Sequence, residues 1–154
     1  MKQYFSPDLW VYIGSSIGLI GIYLASKSLL SGNGIFHKIT CVLMILAILY
    51  LITRMPIGIS INTDSIKVKR LVGYSTLTNV KTVSPIDPQD FSEAIRTFGN
   101  GGIFGYTGYY SSPKIGKFQM IAINTKELAL VTLDNGKKYV INYPKELLEN
   151  KNNN

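Results

Sequence analysis

Two long apolar runs near the N-terminus constrain this chain more than any other feature. Leu9–Ser26, LWVYIGSSIGLIGIYLAS, carries no charge and is bounded by Asp8 and Lys27. A helix crosses a bilayer core with about 20 predominantly apolar residues. Leu29 and Leu30 extend the first run while Lys27 reaches the interface, and Trp10, Tyr12 and Tyr23 suit the two interfaces. After the polar break Ser31-Gly-Asn-Gly34 comes Ile39–Ile52, ITCVLMILAILYLI, which Ile35, Phe36 and Met55 lengthen and Arg54 and Pro56 terminate. The expectation is a two-helix transmembrane hairpin over residues 1–56, with spans of about 9–30 and 35–55. A signal peptide fits less well: Pro7 and Asp8 replace the basic leader, and no small-residue cleavage site opens onto a polar mature start.

So short a break makes the helices antiparallel and puts both ends of the hairpin on one side. Lys2, Arg54, Lys67, Lys69 and Arg70 then lie with the termini, against Lys27 and Lys38 in the turn. This balance favours a multi-pass protein of the cytoplasmic membrane with its following domain in the cytoplasm. Gly14, Gly18, Gly21 and Ala25 lie close to one face of the first helix, the expected packing surface for the second. The formal charge of +7 divides into +3 before Ile57 and +4 after it. That suits a neighbouring anionic leaflet, and no basic–aromatic stripe calls for nucleic acid. The single cysteine, Cys41, excludes an internal disulfide framework.

Beyond Pro56 the pattern changes to short alternating segments. Ile57–Ile61, a turn at Asn62–Asp64 and Ile66–Leu71 read as a hairpin leaving the membrane, with a third strand at Leu77–Val83. Asp87–Arg96 reads as a short helical or irregular connection. The glycine- and aromatic-rich stretch FGNGGIFGYTGYYSSP follows, then strands at 116–124, 128–134 and 137–143, the last two joined by the hairpin signal Asn135-Gly136. About seven antiparallel strands are expected, closed by a short C-terminal helix from Pro144 to Asn150 and a disordered tail at 151–154.

The segment Arg96-Thr-Phe-Gly-Asn-Gly-Gly-Ile-Phe-Gly-Tyr-Thr-Gly-Tyr-Tyr, with Ile115-Gly-Lys-Phe, Ala122-Ile-Asn124 and Gly136-Lys-Lys-Tyr-Val-Ile, resembles the bacterial pleckstrin-homology-like (PH-like) domain family. The likeness is to the branch carrying R-x-F-G-x-G-G-x-F-G-Y-x-G, over roughly residues 57–148. It implies a PH-like domain, taken here as residues 57–150, in which two nearly orthogonal sheets close into a barrel, and a family mostly without an assigned biochemical role. Only Leu147 and Leu148 are strongly apolar in the terminal segment, so the helix that plugs such barrels is weakly represented.

Gly99-Asn-Gly101-Gly102-Ile-Phe-Gly105 has neither the spacing of a dinucleotide fingerprint nor the Lys-Ser/Thr of a P-loop. Its glycines read as bulges and close approaches in a curved sheet. A Ser-His-Asp or Cys-His set is excluded after Pro56, where no histidine or cysteine occurs. Nor can His37 and Cys41 hold a metal alone. Asp87, Asp90 and Glu93 would share a helix face, but read as a solvated acidic connection. No cofactor and no enzymatic activity are expected. The first expectation is an interaction module binding an unknown protein partner within a membrane complex, as a monomer or homo-oligomer. Its surface would be the glycine–tyrosine stretch with Arg96, Tyr106, Tyr109, Tyr110, Lys114 and Lys117, although core and rim packing is the favoured reading of the tyrosines there. The alternative is a sensor of anionic lipid headgroups in the bilayer, contacting the membrane surface through Lys67, Lys69 and Arg70.

Overall fold

The computed structural model describes residues 2–32, 34–62 and 65–144. A strand, β1 (Lys2–Tyr4), precedes the two long helices, α1 (Leu9–Ser31) and α2 (Ile35–Thr53). Asp8 starts α1: its backbone is extended and its carboxylate accepts from the Val11 amide at 2.9 Å. At the far end the His37 ring lies 2.7 Å from Ser28 Oγ and fastens the turn between the helices. Most of both helices is uncovered. Of the most apolar 18 residues in each, 17% are buried in α1 and 6% in α2.

The chain then forms β2 (Pro56–Ile61), β3 (Ser65–Arg70), β4 (Tyr74–Thr78) and β5 (Val80–Pro85), the short helix α3 (Pro88–Ser92), and β6 (Ile95–Gly101), β7 (Tyr106–Ser112), β8 (Gly116–Ala122), β9 (Leu128–Leu133) and β10 (Lys138–Asn142). They make two sheets, ordered β1-β2-β3-β4 and β5-β9-β10-β8-β7-β6. The expected third strand is in fact two: Asn79, at φ 56°, turns the chain out of the first sheet into the second. The glycine-rich stretch supplies another hairpin, β6–β7, and β1 pairs antiparallel with β2 because the helical hairpin returns the chain beside its own start.

Two expectations are corrected. The sheets do not close into a barrel: β1 and β6 are the outer strands of different sheets and are not paired with each other. Nor is the second sheet wholly antiparallel, because β10 inserts between β8 and β9 and runs parallel to β8. No helix follows β10 among the described residues. The terminal helix and tail expected there lie, apart from the residues up to Pro144, outside them.

The core explains the insertion of β10. Ile59, Ile66, Val68 and Leu77 of the first sheet pack on Ile121, Val131 and Ile141 of the second. A further cluster of Tyr110, Phe118, Met120 and Val140 is covered by Ile86 and Phe91. The ends of β8 (Met120–Ala122) and β10 (Val140–Asn142) are therefore buried at consecutive residues, so both faces of the sheet are covered there. Asn142 manages the place where β10 ends between its neighbours. Its Oδ1 accepts from the amides of Ile123 (2.6 Å) and Asn124 (3.4 Å), and its Nδ2 donates to Asn124 O (3.1 Å), Asn124 Oδ1 (2.8 Å) and Glu127 O (3.3 Å).

Asn142→Leu keeps the volume but strips a buried turn of both donor and acceptor. The expected loss is about 2–4 kcal/mol, from several unmade bonds at about 1 kcal/mol or more each. Thermal unfolding of the detergent-solubilised chain measures it, and a change within about 0.5 kcal/mol would contradict this role.

Candidate functional site

The glycine-rich hairpin is docked on α1. Its tip is tied by Asn100, whose Oδ1 accepts from the Ile103 amide (3.1 Å) and whose Nδ2 donates to Ile103 O, and by Gly102 N donating to Gly105 O (3.1 Å). Phe104 is buried with φ at 57°, and its amide donates to Ser15 Oγ on α1 at 3.0 Å. Gly14 lies so close to the tip that a Cβ there would come 2.6 Å from Gly102 O. A Cβ on Gly18 would meet the Phe104 ring at 3.2 Å, whereas one on Gly21 meets Ile48 of α2 at 3.5 Å. The small-residue face of α1 is thus divided: its first half receives the β-hairpin, and Gly21 faces the second helix.

Asp8 joins these parts. It caps α1 and also accepts from Tyr106 Oη at 3.0 and 3.3 Å, while Thr125 Oγ1 lies 3.5 Å away. Burial, and then the hydrogen bond to Asp8, push the Tyr106 hydroxyl pKa above its ordinary value. Asn124 Nδ2 holds Ser6 O at 2.8 Å. The β3–β4 turn meets α2 as well, Leu71 N donating to Met55 O (2.8 Å) and Val72 N to Thr53 O (3.2 Å). The bond to Thr53 O satisfies a carbonyl that the end of α2 otherwise leaves open, and the one to Met55 O holds the residue just beyond it.

Between the end of α2 and the β6–β7–β8 face lies an open cleft of about 660 Å³. Arg54, Arg70 and Arg96 line it together with Tyr50, Phe98 and Ile103, and no carboxylate is among its lining residues. Arg54 lies 5.6 Å from the Tyr50 ring centroid. Arg96 runs along the hairpin, where a Cβ on Gly101 would meet its Nη1 at 2.5 Å. Arg70 is only 5% exposed, and its Nε has no hydrogen-bond partner. Burial, and then the like charge of Arg54, lower its pKa from the usual arginine value. Among the described residues the ion pair present, Lys114 with Asp90 at 2.5 Å, involves none of these arginines.

The residues expected to form one surface separate. Arg96 and Tyr109 line the cleft, and Tyr106 turns to Asp8. Tyr110 is core, stacked on Phe118 at 5.8 Å and donating to Asn100 O at 3.2 Å. Lys114 pairs with Asp90 beside α3, and Lys117 lines a different groove with Lys137 and Lys138. Lys67 is exposed on β3, and Lys69 donates to Tyr4 Oη at 3.1 Å, which raises the lysine pKa and lowers that of the tyrosine. Arg70 faces the other way, in register with the buried Ile66 and Val68. Strand alternation alone separates it from the two lysines. Arg54 was overlooked as a site residue, because in sequence it reads only as the charge that ends an apolar run. Asp87, Asp90 and Glu93 do not assemble as acid and base. Asp87 caps α3 by accepting from Gln89 N, and Asp90 holds Lys114.

Residues 57–150 match the family described as bacterial PH domain. No curated protein and no solved structure matches the chain.

The docking contacts give a graded test. Gly14→Val places side-chain atoms where the Gly102 carbonyl lies and is expected to undock the tip, at about 1–3 kcal/mol. Gly18→Ala costs less, and Gly21→Ala, which meets only an ordinary van der Waals contact, is close to neutral. Hydrogen exchange at the Phe104 amide reads this directly. Exchange should accelerate in that order, and equal rates across the three variants would refute the docking.

Proposed function

This chain belongs to the bacterial PH domain family, and from that premise we propose that it is a non-enzymatic, membrane-anchored interaction module whose domain is clamped in a fixed orientation against its own transmembrane hairpin. The observation that carries this reading is the join between Gly14, Ser15 and Asp8 on one side and Gly102, Phe104 and Tyr106 on the other. A domain held merely near a membrane needs no such contact with its anchor. The exposed apolar faces of α1 and α2 support membrane spanning, since a core helix of a water-soluble protein would be covered. Strand β1 belongs to the sheet of the domain, so cleaving α1 away as a leader would remove part of that sheet. The Arg96–Gly108 pattern supports the family branch that carries it.

Basic residues on the domain side of the hairpin favour a bacterial cytoplasmic membrane with the domain facing the cytoplasm. The module's partner would be a protein added to the outer edge of β6, which no described strand covers and where Ile95 is 72% and Phe98 75% exposed. An open edge offers unpaired backbone groups and alternating side chains to a further strand, from another protein or from a second copy of this chain. Headgroup binding is a second reading, favoured by the arginine cleft.

Two measurements on the full chain in its native membranes test this. A photo-crosslinking residue at Ile95 should give a protein adduct that one at Lys137, in the β9–β10 turn, does not. Adducts at both positions or at neither would remove the β6 assignment. A cysteine at Asn135 in a Cys41→Ala background should resist a membrane-impermeant thiol reagent in intact cells and react after lysis. Reaction in intact cells would reverse the orientation.

A further inference from the structure

We propose that the cleft between α2 and the β6–β8 face binds the phosphate of an anionic membrane lipid, with Arg54, Arg70 and Arg96 around the headgroup and the acyl chains alongside α2. Three guanidinium groups share a site with no carboxylate among its lining residues, so the cleft carries net positive charge that none of those residues neutralises. Arg70 is the decisive group, because its buried Nε loses hydration without donating a hydrogen bond to any described residue. An oxygen-rich anion supplies both the missing acceptor and the missing charge, and guanidinium geometry matches phosphate particularly well.

A helix-end role does not account for the cluster. Arg54 follows α2 directly and can oppose the negative end of its dipole, but Leu71 N and Val72 N already serve Met55 O and Thr53 O. Neither Arg70 nor Arg96 forms part of that cap.

The position of the cleft selects a lipid over a free anion. Tyr50 and Leu51, in the last turns of an exposed apolar helix, form one wall, and Phe98 and Ile103 belong to the other. A ligand seated there meets both guanidinium charge and apolar side chains, the combination that a phospholipid at the bilayer interface presents. The volume of about 660 Å³ accommodates a headgroup. Gly99 and Gly108 help to keep the cleft open: they lie side by side across the β6–β7 pair, and a Cβ on Gly99 would come 2.6 Å from the Gly108 Cα. Any side chain at Gly99 would press the strands apart beneath the site.

The inference rests on the reading of α2 as a membrane helix, not on the β6 partner, and its test needs no partner. The full chain, purified in a nonionic detergent, is titrated with phosphatidylglycerol, with phosphatidylcholine and with inorganic phosphate. Melting temperature and bound phosphorus are the readouts. Phosphatidylglycerol should raise the melting temperature of the wild-type chain and remain bound at about one per chain, while phosphatidylcholine should do neither. Arg54→Gln and Arg96→Gln, both at exposed positions, should weaken that binding about ten- to hundred-fold while melting like the wild type in phosphatidylcholine. Arg70→Met, which removes the buried charge, should abolish the response. An equal response to inorganic phosphate would overturn the assignment to lipid. No response to phosphatidylglycerol, or one that survives the arginine substitutions, would overturn the site. A chain that stays in solution without detergent would instead remove the membrane reading itself.

Discussion

The placement of the β-domain against its two helices depends on the close approach of a β-hairpin tip to the first helix. Gly14 and Gly102 meet backbone to backbone, and a methyl group at Gly14 would already come 2.6 Å from a carbonyl oxygen. That contact lets Phe104 lie over Gly18 and donate its amide to Ser15, and it brings Tyr106 to Asp8. On the proposed reading of α1 as a membrane helix, burying apolar surface against another apolar surface gains little, so close packing and hydrogen bonds hold such a joint. Small residues on both partners supply the first. Ser15, Asp8 and Tyr106 supply the second.

The joint fixes where the rest of the domain stands. With the β6–β7 hairpin held on α1, the β3–β4 turn meets the end of α2, and its Leu71 and Val72 amides cap carbonyls there. Arg70, the last residue of β3, is carried to the same level as Arg54. The arginine cleft is thus a product of two attachments, one at each helix, with neither element forming it alone. A domain swinging on a free linker would bring the same three arginines together only transiently.

Much of this architecture was legible in the sequence and part was not, for definite reasons. Both long helices follow from uninterrupted apolar runs, and the β9–β10 hairpin follows from Asn135-Gly136. Asn79 escaped notice because a single positive-φ asparagine within an apparent strand leaves the alternation of its neighbours intact while moving the chain to another sheet. The parallel pairing of β10 with β8 was hidden because connection length speaks only for consecutive strands, and β10 pairs past β9. The glycine face of α1 was visible, but periodicity reports only that a face is small, not which of two partners occupies it. The expected site failed similarly: Tyr106, Tyr110 and Lys114 are close in sequence to Arg96 but point to Asp8, to Phe118 and to Asp90.

The energetics of Arg70 bear on what the cleft is for. Packing alone would favour an apolar residue in register with Ile66 and Val68, because a buried guanidinium with an unmet donor destabilises the fold. The like charge of Arg54 adds to that cost. A stability role is therefore the weaker account of this arginine. Among the described residues no carboxylate lines the cleft, although Asp8 and Asp90 show that the fold pairs a carboxylate with a hydroxyl or an ammonium group elsewhere. On the reading proposed above, the electrostatic cost of this site is recovered when an anion arrives, and for a cleft beside a membrane-spanning α2 that anion would be a lipid. Binding would then do more than occupy a cleft. On that proposal, relieving the repulsion between Arg54 at the end of α2 and Arg70 at the end of β3 would tighten the same junction that orients the domain, coupling the bound lipid to how firmly the outer edge of β6 is presented.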